Sequence, residues 1–258
     1  MLAQTVRAGP KQPLGHAILI GRIRMRHPVR GMSLRGSRFS RSLLQWFQSE
    51  RRSFPWRRSR TPYHILVAEL FLRKTQAKQV APIYAVFVRR FPSVRRLDKA
   101  RVRQIRSAVW SLGLATRAQQ LKLLARQLME RFAGRVPSSE HELLSLAGVG
   151  TYTASAVLCF AFGQRRAVLD ANVIRVFSRY FGLRSQNSRP RTDKRLWQIA
   201  DGLVPNQKPR EYNWAILDFA AKVCRARHPL CSECPLRKTC WWFRRVKRSG
   251  GIKPAKRP

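Results

Sequence analysis

Pro137-Ser-Ser139-Glu-His-Glu142-Leu-Leu-Ser-Leu146-Ala-Gly148-Val-Gly150-Thr-Tyr152-Thr-Ala-Ser-Ala-Val-Leu-Cys159-Phe-Ala-Phe162 is the stretch on which the fold turns. Ser139 and Glu142 stand at capping-box spacing and predict a short helix carrying Leu143, Leu144 and Leu146. Gly148-Val149-Gly150 stops that helix, and Thr151 opens an apolar one reaching Phe162. Two helices flanking a Leu-Ala-Gly-Val-Gly turn make a hairpin. Its glycines permit close backbone approach, and the second helix would aim free N–H groups and a positive dipole end outward, a natural seat for a DNA phosphate. An ordinary tight helix–helix turn has the same composition, so the hairpin alone does not decide.

Working outward, helical periodicity continues on both sides. Phe39, Leu43, Leu44 and Phe47 recur at helical spacing until Phe54-Pro55-Trp56 breaks the pattern. Tyr63 to Leu72 and Val80 to Val88 are further apolar stripes, as are Val102, Ile105, Val109 and Leu112. Thr116 is the expected N-cap of a helix with Leu121, Leu124, Leu128 and Phe132 on one face. Strand signals are nearly absent, so the expected class is all-α. Cys159 lies in an apolar helix and reads as a small core residue.

Charge narrows the partners. The 53 Lys and Arg against 12 Asp and Glu give a formal net charge of +41 over 258 residues. Such a charge opposes compaction unless a polyanion screens it, while 44% apolar residues argue for a folded core. Nucleic acid is the first candidate. An anionic membrane surface is the second; no apolar run reaches the length of a membrane span, so a spanning helix is not expected, and no membrane partner is the reading taken. Residues 1–38 contain no Asp or Glu and read as a basic flexible arm, and 245–258 read as a basic C-terminal tail. The arm's composition equally suits an organellar transit peptide, or a start at Met25 or Met32.

Four of the five cysteines crowd into Cys224-x6-Cys231-x2-Cys234-x5-Cys240. Four thiolates so close together can enclose one metal centre, zinc or iron–sulfur. Paired C-x2-C knuckles are the usual zinc pattern, and only one is present. The clustering predicts a reducing compartment, the cytoplasm, rather than a disulfide scaffold. Arg225, Arg227, His228, Arg237 and Lys238 lie between the cysteines, so the loop is expected to present cations to phosphate.

Together, Leu146-Ala-Gly-Val-Gly150 with Tyr152, Val168-Leu-Asp170-Ala-Asn172-Val173 and the cysteine spacing resemble the helix-hairpin-helix glycosylases of the endonuclease III/MutY superfamily. The resemblance runs from about Phe39 to Cys240. Phe54-Pro-Trp-Arg57 and Pro62-Tyr63…Val67-Ala-Glu69 are similar to MutY and to the thymine/guanine mismatch glycosylases. It implies a [4Fe–4S] cluster on Cys224, Cys231, Cys234 and Cys240, and two helical domains with duplex DNA in the cleft between them. A six-helix hairpin domain would span 62–166. A cluster domain would combine 39–61 with 167–244.

The resemblance also implies roles. Asp170 matches the aspartate that stabilises positive charge on the deoxyribose, an electrostatic contribution typically of several kcal/mol; it also reads as a helix N-cap. Glu69 matches the acid that protonates the departing base. Its neighbours Ile65, Leu66, Val67, Leu70 and Phe71 would desolvate it and raise its pKa. Tyr152 stands where strand-cleaving relatives place a Schiff-base lysine, so a monofunctional enzyme is expected. Gly148, Val149 and Gly150, with Arg73, Lys74, Arg225 and Arg227, are the expected DNA contacts, and Lys74 stands where the family places a glutamine wedge for the hole left by the flipped base. Gly113-Leu-Ala replaces the Gly-Tyr-Tyr segment of MutY, and only 18 residues follow Cys240. Leu72-Arg-Lys-Thr-Gln76, Gly113-Leu-Ala-Thr-Arg117 and Asp170-Ala-Asn172 are instead similar to the mismatch glycosylases. The expected substrate is T or U opposite G, acted on by a monomer. The alternatives are adenine opposite G or 8-oxoG, and a catalytically inactive DNA clamp.

Overall fold

The computed structural model describes residues 29–73, 75–113 and 117–248. Lys74, Leu114, Ala115, Thr116, most of the expected arm and the end of the tail lie outside the described residues. Among those described there is no strand. The helices are α1 (Val29–Glu50), α2 (Pro55–Arg58), α3 (Pro62–Phe71), α4 (Ala77–Arg90), α5 (Val94–Lys99), α6 (Val102–Val109), α7 (Ala118–Phe132), α8 (Glu140–Leu144), α9 (Thr151–Phe160), α10 (Ala171–Phe181), α11 (Lys194–Leu203), α12 (Pro209–Lys222) and α13 (Trp241–Arg248). None is long and apolar enough to cross a membrane.

Two cores organise these helices. The first gathers Leu66, Phe71, Phe87, Ile105, Leu128, Leu143 and Leu158, so the apolar stripes of α3 to α9 face one another. Helices α3 and α9 are apolar nearly all round and lie buried against each other at its centre. The second core gathers Phe39 and Leu43 of α1 with Val176, Phe177 and Tyr180 of α10, and Tyr212, Ile216 and Phe219 of α12. Phe39 sits fully buried with ring centroids 4.8 Å from Tyr180 and 5.2 Å from Phe181. The chain crosses between the cores at 167–169, where Val168 packs into the first and Ala167 and Leu169 into the second.

Three points differ from expectation. Helix α1 begins at Val29, so residues 29–38 belong to a helix rather than to a flexible arm. Tertiary ties hold this part of α1: Arg35 Nη2 donates to the carbonyls of Tyr180 (2.9 Å) and Thr239 (3.1 Å), and just beyond it Ser40 Oγ donates to that of Leu203 (3.1 Å). Phe54 and Trp56, stacked at 4.8 Å, join the first core and not the second. The tail's first residues continue α13.

At the hairpin, Ser139 is the N-cap of α8 but its side chain makes no capping bond, so the expected capping box does not form. Glu140 instead pairs with Arg166 at 2.5 Å, and the backbone bond from Leu143 to Ser139 closes the first turn. Helix α9 ends at Phe160, two residues short of the apolar run.

Candidate active site

Glu69 lies on the last turn of α3, inside the apolar run that packs against α9. It is 3% exposed, and its Oε2 has no hydrogen-bond partner. Burial pushes its carboxyl up to about 8. The Arg57 guanidinium and the Tyr152 hydroxyl pull it down, while the charge of Asp170 adds to the rise. Tyr152, on the first turn of α9, is held far above the usual phenol range by burial and by Glu69 and Asp170, so it stays a hydrogen-bond donor. The charges acting on Glu69 include those of Arg57 and Asp170, and those acting on Tyr152 include those of Glu69 and Asp170.

Asp170 is the N-cap of α10, with extended backbone. Its Oδ1 accepts the amides of Asn172 and Val173, each at 2.8 Å, and its Oδ2 accepts Asn172 Nδ2 at 2.8 Å. Arg175 Nη1 then donates to Asn172 Oδ1 (2.8 Å), and its Nε to the Cys224 carbonyl (3.0 Å). The capping and electrostatic readings of Asp170 are therefore compatible. The cap that aims the carboxylate also puts it at the crossing between the cores, beside Glu69 and Tyr152.

Beneath this group lies an ion-pair cluster to which sequence reasoning assigned no role. Asp218, with no exposed side-chain surface, accepts Arg57 Nη1 and Nη2 (both 2.8 Å), Arg52 Nε (2.6 Å) and the Arg52 amide (2.9 Å). Burial pushes the Asp218 carboxyl up, but hydrogen bonds and charge from Arg57 and Arg52 overcome this and hold it below the ordinary range. Arg57 also lies over the Phe54 and Trp214 rings, so the clamp ties the first core to α12. The available signal was the rarity of acids and the position of Asp218 beside Phe219 in an apolar stretch.

The hairpin turn is built as a close approach. Gly148 has φ +79°, and a Cβ there would meet the Gln120 side chain at 2.6 Å. Arg73 Nη1 donates to the Gly148 carbonyl at 2.8 Å, so Arg73 braces the turn, and Arg117 in turn donates to the Leu70 and Arg73 carbonyls. Val149 is tucked in by its amide bond to Leu146. Gly150 is the N-cap of α9, with no side-chain cap and open space where a Cβ would be. Gly148→Ala is expected to cost about 1–2 kcal/mol of left-handed strain. That should lower Tm by roughly 2–8 °C in a thermal melt, and duplex affinity should fall in a filter-binding titration.

Cys224, Cys231, Cys234 and Cys240 line one cavity beside the second core, walled by Val176, Phe219 and Leu230. Burial and their mutual charges push Cys231 up to about 11 and Cys234 up to about 12. Among the described residues no group of three or more ligating side chains is close enough to hold a single metal ion. Arg179 Nη1 donates to Cys224 Sγ (3.6 Å) and the Arg225 carbonyl (2.6 Å), and its Nη2 to the Ala226 carbonyl (3.0 Å), which leaves Arg225 and Arg227 exposed on the loop outside. Cys159 is a buried core residue, as expected, and accepts from Asn213 Nδ2 at 3.2 Å.

Residues 67–201 match the HhH-GPD superfamily of base excision DNA repair proteins. The chain belongs to this family. Over 82% of its length this HhH-GPD protein is 42% identical to the thymine/uracil-DNA glycosylase of Pyrobaculum aerophilum, 94% of which is covered. It is 34% identical to the human adenine DNA glycosylase over 81% of its length, but that match covers only 40% of the human protein. Among solved structures, a thermostable thymine-DNA glycosylase superposes with TM-score 0.79 at 38% identity, covering 83% of this HhH-GPD chain and 99% of the other.

Proposed function

We propose that the protein is a monofunctional DNA glycosylase of base excision repair that hydrolyses the N-glycosidic bond of T or U opposite G. The observation that carries this reading is the junction of the two cores, where buried Glu69, half-buried Tyr152 and the N-cap carboxylate of Asp170 act on one another. Duplex DNA occupies the cleft there, its phosphates met by Gly148, Val149 and Gly150 with the first turn of α9, and by Arg225 and Arg227. Glu69 in its protonated form gives its proton to the departing base. Asp170 stabilises the positive charge left on the sugar. Water then completes hydrolysis at C1′. Tyr152 offers a phenol where a Schiff-base amine would be needed for strand cleavage, so the product is an intact abasic site. The 42% identity to a thymine/uracil-DNA glycosylase supports the pyrimidine substrate over adenine.

The cysteine cavity suits a [4Fe–4S] cluster. Four thiols lining one cavity match the ligand set of such a cluster, and only one C-x2-C knuckle is present where structural zinc usually has two. Bound there, the cluster would supply folding energy to the loop that carries Arg225 and Arg227. Such thiolate ligation also favours a reducing compartment, with the protein acting as a monomer.

Single-turnover base release from T·G, U·G, A·G and A·8-oxoG duplexes, scored with and without alkali, tests this reading. Product from T·G and U·G only after alkali is the expected result. Release from adenine mispairs would move the enzyme to the adenine class, and borohydride-trapped adducts would contradict the role of Tyr152.

The protonation of Glu69 gives a pH prediction. The folded carboxyl keeps its proton up to about 8, so the base-release rate should fall as pH rises through that value. Glu69→Gln should lose about 10²–10⁴-fold in rate. The same shift sets a stability slope. Between the unfolded carboxyl value, about 4.5, and about 8 only the folded state holds this proton, so its contribution to stability declines with rising pH and then levels. Glu69→Gln should lack that part of the decline in a Tm-against-pH series.

A further inference from the structure

The N-terminal turns of α1 reach the far end of the cysteine segment. Arg35 Nη2 donates to the carbonyl of Thr239, the residue immediately before Cys240, and to that of Tyr180 on α10, at 3.1 and 2.9 Å. Its guanidinium also lies 5.6 Å from the Tyr180 ring centroid and 5.8 Å from that of Phe181. The same join is closed by Tyr180 Oη and Thr239 Oγ1 at 2.8 Å. The Arg35 and Thr239 partners are 204 residues apart in the chain. Nothing in the local sequence around Cys240 supplies this tie. A cation bonding two carbonyls while resting on two aromatic faces is a costly contact to lose, because both carbonyls then need new donors.

We propose that Arg35 is a positioning residue for the cysteine cavity: it latches the Thr239–Cys240 backbone onto α10, so that retention of the bound cluster depends on a helix from the opposite end of the chain. The inference rests on the cluster reading above. The latch acts through Cys240, whose approach to the cavity it restrains, and has no contact with the residues of the base-release site.

The test uses the full-length protein as isolated. Loss of the cluster's visible absorption is followed under ferricyanide and a chelator, with iron and sulfide content measured in parallel. Arg35→Ala is expected to bleach roughly tenfold faster than wild type, and Arg35→Lys to fall between them, since lysine keeps the charge without the planar fork. Ser40→Ala is the control. It removes another buried tie of α1, Ser40 Oγ to the Leu203 carbonyl, and leaves the cysteine segment alone. It should lower Tm with bleaching unchanged. Equal bleaching in wild type and Arg35→Ala would overturn the latch while leaving the cluster in place. Bleaching accelerated as much by Ser40→Ala would reduce Arg35 to a general stabiliser of α1 and overturn it too. Wild-type protein without iron, sulfide or visible absorption would defeat the cluster reading itself, and the latch with it.

Discussion

Asp170→Asn is expected to slow single-turnover base release by about 10²–10³-fold while duplex binding stays within a few-fold of wild type. The substitution is nearly isosteric. Asparagine is as good an N-cap as aspartate, so the bonds from the Asn172 and Val173 amides can persist and Tm should move little. What is lost is the negative charge beside the reacting sugar. The loss also removes one of the influences that raise Glu69, so the alkaline limb of any residual pH profile should shift to lower pH. Release at the wild-type rate would rule out the mechanism. A collapse in Tm would instead make Asp170 a structural cap first.

The largest stability effect is expected at Asp218. Asp218→Ala leaves the Arg52 and Arg57 guanidiniums facing each other across a buried space. Removing one partner of a buried, hydrogen-bonded ion cluster typically costs about 3–5 kcal/mol. In a protein of this size that corresponds to a Tm lower by roughly 6–20 °C. The sign with pH follows from the depressed carboxyl. Its contribution is present above the ordinary aspartate range and disappears as pH falls through the lower folded value, so wild type and variant should converge in acid. A loss under 1 kcal/mol at neutral pH would show that the clamp is not what joins the first core to α12.

The features legible in the sequence were those whose chemistry is local. The hairpin needs a glycine at one turn position, and Gly148 announces it. Four thiols around one cavity come from a single short segment. Asp170 precedes the helix it caps, and Glu69 interrupts an apolar run, so its desolvation could be argued from its neighbours. Features built from distant partners were invisible. Arg57 and Asp218 are 161 residues apart, and nothing near either one names the other. The start of α1 was missed because basic residues and glycines disguise its periodicity. Gly36 looks like a breaker, yet a Cβ there would come within 2.7 Å of Leu203, so its smallness is a packing requirement. The capping box failed in the opposite sense: its spacing is present, but the salt bridge of Glu140 with Arg166 and the backbone bond to Ser139 organise that turn instead.

The return of the chain to its own beginning has a consequence for synthesis. Helix α1 finds its partners in α10 and α12, so the apolar face carrying Phe39, Leu43 and Phe47 leaves the ribosome long before anything exists to cover it. The first core, by contrast, is assembled almost wholly from residues 54–168 and can close as soon as they emerge. The protein is therefore made inside-out in time: the middle of the polypeptide matures first, and the two ends join last, by the slowest class of contact, long-range closure.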